Sequence, residues 1–120
     1  MTGRCLDKDI KITRVVGRVH VIFDDAEIAS TLNALDVEEA GEPLRIYIPR
    51  ADVRPDILEV SGTGTHSDAM GEASYYTIKT LTATGVDRAW YYPDPCPQVD
   101  AIRDHLAFAG DKIEYRRTEV

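Results

Sequence analysis

The sequence predicts a small, mainly β domain, an antiparallel β-barrel or open sandwich with one or two short helices, and three observations carry that expectation. Apolar and polar residues alternate over several stretches with the period of two that lays one face of a strand against a core. Glycine, proline and aspartate punctuate those stretches as tight turns require. The chain has 120 residues, 43% of them apolar, which suffices for one core and not for two. Residues 1–120 therefore read as a single domain, with its core at about 11–117 and less ordered termini.

The elements follow in order. Lys11 to Phe23 reads as strand, with Val19, Val21 and Phe23 on one face, Arg18, His20 and Ile22 on the other, and Gly17 as an interruption. Asp24 and Asp25 turn the chain into Glu27 to Ser30, a hairpin. Thr31 to Ala40 spaces Leu32 and Leu35 in a near-helical way but is short, so it is expected as a loop holding one helical turn. Leu44 to Ile48 is a strand with Leu44, Ile46 and Ile48 on one face and Arg45 and Tyr47 on the opposite one, closed by Pro49. Asp52 to Asp56 is expected as a turn and Ile57 to Val60 as a short strand. Ser61 to Gly71, rich in Gly, Ser and Thr, is expected as a long loop, a usual place for function. Ala73 to Thr84 is the longest β-like run; Gly85 to Asp87 turns it, and Arg88 to Tyr92 returns. Pro93 to Pro97 is a stiff connection, since each proline fixes its own φ and restricts the residue before it. A short helix over Gln98 to Asp104 and closing strands at Leu106 to Phe108 and Ile113 to Tyr115 complete seven or eight strands.

Charge and composition bound the role. Acidic residues outnumber basic ones 21 to 14, a net charge of −7 that disfavours nucleic-acid and anionic-membrane partners. No apolar run approaches the roughly 20 residues that cross a bilayer, and Met1 to Lys8 lacks a signal peptide's apolar stretch, so a cytoplasmic location is expected. Cys5 and Cys96 lie far apart and form no C-x-x-C pair; both are read as reduced. No histidine pair has a ligand spacing such as H-E-x-x-H, so neither metal nor cofactor is expected.

The segment Gly71-Glu72-Ala73-Ser74-Tyr75-Tyr76, with Tyr47-Ile48-Pro49-Arg50-Ala51-Asp52-Val53 before it and Ala89-Trp90-Tyr91-Tyr92-Pro93-Asp94-Pro95 after it, resembles a bacterial family. That family is the domain of unknown function number four hundred and twenty-seven, sometimes labelled nucleotidyltransferase-like, and His105-Leu106-Ala107-Phe108 matches its C-terminal signature. The resemblance spans about Val19 to Tyr115 and implies a compact antiparallel fold of the β-tent group, without the zinc that paired cysteines hold elsewhere in that group. It brings no accepted reaction. One loop departs from the family pattern Thr-x-Cys-Pro-x-Lys-Gly: in Thr65-His66-Ser67-Asp68-Ala69-Met70-Gly71, Ser67 replaces the cysteine, Asp68 the proline and Met70 the lysine.

Tyr47, Tyr75, Trp90 and Tyr92 are the candidate walls of a small-molecule pocket, because each offers apolar area with a polar tip. The resemblance places Arg50, Asp52, Glu72 and His105 near these rings: Arg50 to hold a polar group of the ligand, Glu72 or His105 to transfer a proton, and Asp52 as a salt-bridge partner of Arg50. His66-Ser67-Asp68 spells a hydrolase triad, but consecutive residues do not align three side chains in one hydrogen-bonded line. Three roles stay open: a cofactor-independent small-molecule-binding domain or enzyme of isomerase, cyclase or lyase type, a noncatalytic interaction or sensing module, and a nucleotide-processing protein. The partners expected are a small-molecule ligand or substrate and a second copy of the chain in a homodimer.

Overall fold

A computed structural model of the chain describes residues 5–119. Ten strands form: β1 (Ile10–Arg14), β2 (Arg18–Phe23), β3 (Ala26–Thr31), β4 (Leu35–Glu39), β5 (Arg45–Pro49), β6 (Leu58–Ser67), β7 (Gly71–Lys79), β8 (Thr84–Tyr91), β9 (His105–Phe108) and β10 (Ile113–Thr118). The helical elements among the described residues are three short 3₁₀ turns, at Arg50–Asp52, Pro55–Ile57 and Pro97–Ile102. The helix expected at Gln98 to Asp104 is the last of these, held to 3₁₀ geometry as it follows the proline run.

Three segments differ from the expectation. Thr31 to Ala40 is not a loop: Leu35 to Glu39 is a strand bonded to β1 on one side and β5 on the other, and two ladders outweigh the near-helical spacing of two leucines. Most of the expected loop at Ser61 to Gly71 belongs to β6, paired with β7 across a register shift between Val60 and Gly64. The β7–β8 turn falls at residues 80–83 rather than at Gly85 to Asp87, because the Thr80 hydroxyl accepts from the backbone N–H groups of Thr82 and Ala83 and stabilises the turn there.

All strand pairs are antiparallel and build two sheets, one of seven strands in the order β1-β4-β5-β9-β8-β7-β6 and one of three in the order β10-β2-β3. The large sheet ends at β1 and β6 without closing, so the architecture is the open alternative and not a barrel. The strands β9 and β10 separate, β9 into the large sheet and β10 into the small one.

Side-chain alternation gives the large sheet two apolar faces. On one face Ile48, Ile78, Ala89, Leu106 and Phe108 meet Val19, Val21, Phe23, Ile28 and Ala29 of the small sheet in the main core. On the other, Val37, Tyr47, Ala73, Tyr92 and Ala107 are covered by Ala69 and Met70 and by Cys96, Val99 and Ile102. This second cluster forms where no second sheet lies, roofed by the Pro93–Pro97 connection and its 3₁₀ turn. Gly71 allows that roof to sit close: its φ is +119°, and a Cβ there would come within 3.1 Å of the Asp94 carbonyl oxygen.

The cysteines are not free. Cys5 and Cys96 form a disulfide with Cα atoms 5.7 Å apart, which corrects the reduced assignment; 91 residues of separation say nothing about distance once the chain has folded back. The less ordered termini expected from the sequence fall partly on residues 1–4 and 120, which lie outside the described residues. Among the described residues no helix is long and apolar enough to cross a membrane.

Candidate functional site

The second face of the large sheet carries a transverse row of residues set by register. Leu35 of β4 lies opposite Tyr47 of β5, Tyr47 opposite Ala107 of β9, Ala107 opposite Trp90 of β8, and Trp90 opposite Tyr75 of β7. Ala107 is the small member, and its size lets the two large rings beside it reach over the strand, so that Trp90 Nε1–H donates to the Tyr47 hydroxyl at 3.2 Å. The Tyr75 and Trp90 rings lie 6.0 Å apart at a 35° tilt, close enough for an offset aromatic contact. Tyr92, just past the end of β8, completes the set.

Above this row is a cavity of about 580 Å³, within the size range of small-molecule sites. Tyr47, Tyr75, Trp90 and Tyr92, the four rings singled out in the sequence, all line it. Burial pushes the Tyr92 phenol up to about 12 and raises the Tyr47 phenol further, so both present hydrogen-bonding hydroxyls, not phenolates, at neutral pH. Arg45, which shares its face of β5 with Tyr47, lays its guanidinium over the Trp90 ring, 5.3 Å from the centroid. Among the described residues Arg45 has no carboxylate within ion-pair distance. At the rim, Glu39 is paired with Lys8 at 2.7 Å, and Asp68 with His66 at 2.9 Å. Two further rim carboxylates, Asp7 and Glu42, are exposed.

The polar residues expected beside the rings go elsewhere. Arg50 follows Pro49 into a 3₁₀ turn and packs on the opposite side of the sheet, 4.6 Å from the Tyr91 ring centroid and donating to the Tyr76 hydroxyl at 3.1 Å. Glu72 accepts from His66 Nδ1 at 2.6 Å and lines a neighbouring cavity of about 460 Å³ instead. His105, at the start of β9, has its Nδ1 2.8 Å from the Arg103 carbonyl oxygen and lines neither cavity. Glu72 and His105 are thus not brought together around the rings.

His66 is the ionisable group that sequence reasoning set aside. It lines both cavities, and its two ring nitrogens face Glu72 and Asp68, an arrangement that suits a doubly protonated imidazolium. The hydrogen bond to Glu72, then that to Asp68, raises its pKa above the usual histidine value. The pairing of Glu72 with His66 across β6 and β7 was hidden while residues 61–71 were read as a loop. Ser67 does not join it: its hydroxyl accepts from the Met70 N–H at 3.2 Å. All of Ser67, Asp68 and Met70, the positions that depart from the family pattern, lie in the wall of the aromatic cavity.

Residues 6–8, which run from the disulfide at Cys5 toward β1, form part of the cavity wall. Among the described residues no cluster of three or more His, Cys, Asp or Glu side chains is arranged to hold a metal ion. The family model described as a domain of unknown function, DUF427, matches residues 11–119, nearly the whole chain. No curated protein matches it.

Proposed function

The chain belongs to the DUF427 family, whose description names no reaction, and from that premise we propose that it is a small-molecule-binding domain whose ligand is a planar organic carboxylate. The observation that supports this reading most is the register row that gathers Tyr47, Trp90 and Tyr75, with Tyr92, on one cavity. Flat aromatic walls favour a flat ligand, and the protonated phenols offer donors to an acceptor-rich one. Arg45 supplies the charge: its planar fork matches a carboxylate bidentately, and it has no carboxylate partner among the described residues. The rim acids oppose an anion weakly, because Glu39 and Asp68 are already paired and Asp7 and Glu42 are solvated.

Should turnover accompany binding, the proton carrier in the wall is His66, with Glu72 orienting it, in place of the Glu72 and His105 pair. The reading invokes no cofactor and keeps the cytoplasmic location expected from the sequence. The test uses the single tryptophan of the chain, whose ring lines the cavity. Aromatic carboxylates, with their amide counterparts as controls, are titrated while Trp90 emission is followed. Saturable changes are expected with carboxylates, weakened about tenfold or more by Arg45→Gln, since a charged hydrogen bond is worth roughly 1.5–3 kcal/mol. Arg50→Gln should leave the affinity alone. Equal losses in the two variants, or no saturable response to any carboxylate, would refute the reading.

A further inference from the structure

One part of the cavity wall, residues 6–8, is attached to the domain in a way that points to control of access. Residues 5–9 are all exposed, and the one large apolar side chain among them, Leu6, keeps about half its surface in solvent, so this strap has no fully buried apolar anchor. Among the described residues its noncovalent ties are few and lie at the surface. The Leu6 N–H donates to the Asp68 carbonyl at 2.8 Å, Gln98 Nε2 donates to the Leu6 carbonyl at 2.8 Å, Ala40 N–H donates to the Asp9 carbonyl at 3.1 Å, and Lys8 pairs with Glu39. Exposed bonds of this kind contribute little, and ordering a five-residue segment opposes them. The Cys5–Cys96 bond is the one covalent tie, and it fixes the end of the strap to the buried Cys96 in the roof.

We propose that the Cys5–Cys96 disulfide is a redox latch on the aromatic cavity: formed, it holds residues 6–8 as part of the wall; reduced by a small dithiol, it releases them and widens access to the site. The bond can be reached. Cys5 is exposed, and both cysteines line the neighbouring cavity of about 460 Å³, together with Pro93, Pro95 and Pro97. A dithiol's thiolate attacks Cys5 Sγ; the disulfide breaks, its electron pair leaves on Cys96 Sγ, and that sulfur takes up a proton. The reagent's second thiol then displaces Cys5 from the mixed disulfide, so two electrons and two protons pass to the protein and the dithiol leaves as its own cyclic disulfide. Disulfides persist in oxidising compartments, and those that form in reducing ones are normally transient, catalytic or redox-sensing.

This inference takes the cavity as the ligand site of the preceding section, but its test does not depend on a ligand. Thiols are counted first in air-oxidised, unfolded protein; none is expected, and two per chain would overturn the latch. Acrylamide quenching of Trp90 is then measured with the protein oxidised and after dithiothreitol. The quenching constant should rise about twofold on reduction as the wall becomes a locally open segment, and Cys5→Ser should show the high value in both conditions. Cooperative thermal unfolding of reduced protein and of Cys5→Ser verifies that the domain itself persists; global unfolding on reduction would equally overturn the latch. An unchanged quenching constant in reduced, folded protein sinks the latch while leaving carboxylate binding intact. A redox-dependent constant with no carboxylate response sinks the binding reading alone.

Discussion

Tyr115→Phe removes one oxygen atom, and the structure says how much that atom holds. Tyr115 projects from β10, in the small sheet, to the place in the large sheet where the β5–β9 ladder ends. Its hydroxyl accepts from the Phe108 N–H at 3.0 Å and lies 3.1 Å from each of the Ile46 and Phe108 carbonyl oxygens, to one of which it donates. Phe108 is only 2% exposed, so without the phenol its N–H has no ready access to water. A buried donor left unpaired costs about 1–3 kcal/mol, and losing the donated bond adds about 1 kcal/mol, which makes roughly 2–4 kcal/mol in all. Against the 5–15 kcal/mol typical of whole domains this is a large fraction, and at about 4 °C per kcal/mol it amounts to a melting-point drop of roughly 8–16 °C. The assay is urea unfolding followed by far-UV circular dichroism, with Tyr75→Phe as control, since the Tyr75 hydroxyl meets Thr65 at an exposed site and its loss should fall within about 0.5 kcal/mol. A Tyr115→Phe loss below about 0.5 kcal/mol at unchanged m-value would refute the idea that this phenol completes the ladder.

Two predictions concern pH. The Tyr92 phenol, pushed up to about 12 by burial, favours the folded state only while neutral. Its contribution is fully present below the unfolded value of about 10 and lost as pH rises toward 12, so stability should fall across that window; Tyr92→Phe should make the fall shallower without abolishing it, because burial also raises the Tyr47 and Tyr115 phenols, as read by denaturant midpoints at each pH. His66 has a raised pKa, so its contribution is complete below about pH 6.5 and disappears as pH climbs through the folded value; imidazole proton shifts in NMR should titrate above the ordinary midpoint. Glu72→Gln should lower that midpoint more than Asp68→Asn, because the Glu72 hydrogen bond is the larger cause; the reverse order would contradict the geometry.

The mainly antiparallel fold was legible because its cores are written with period two. Val19, Val21 and Phe23, and Ile46 and Ile48 against Arg45 and Tyr47, sort onto the faces that alternation predicts. What failed to show was strand whose reason for being strand lies elsewhere in the chain. Gly64 to Ser67, in a stretch whose glycines and serines suggest a loop, is strand because β7 bonds to it; Leu35 to Glu39 is strand because it lies between β1 and β5. The disulfide was hidden for the same cause, since only the return of residues 5–9 across the roof brings Cys5 to Cys96.

The four rings were found and the cation beside them was misassigned, and one rule accounts for both. Side-chain parity propagates along a strand and across a ladder, so Tyr47, Trp90 and Tyr75 share a face once their strands are in register. Parity ends where the strand ends. Arg50 stands beyond Pro49, in a 3₁₀ turn where alternation no longer applies, and its guanidinium went to Tyr76 and Tyr91 on the far side. Arg45, two residues before Tyr47 on the same strand, keeps the cavity's parity and stacks on Trp90. Ala107 decides the rest: with a long side chain between Tyr47 and Trp90 the two rings could not meet over β9, and the floor on which the proposed ligand lies would be divided.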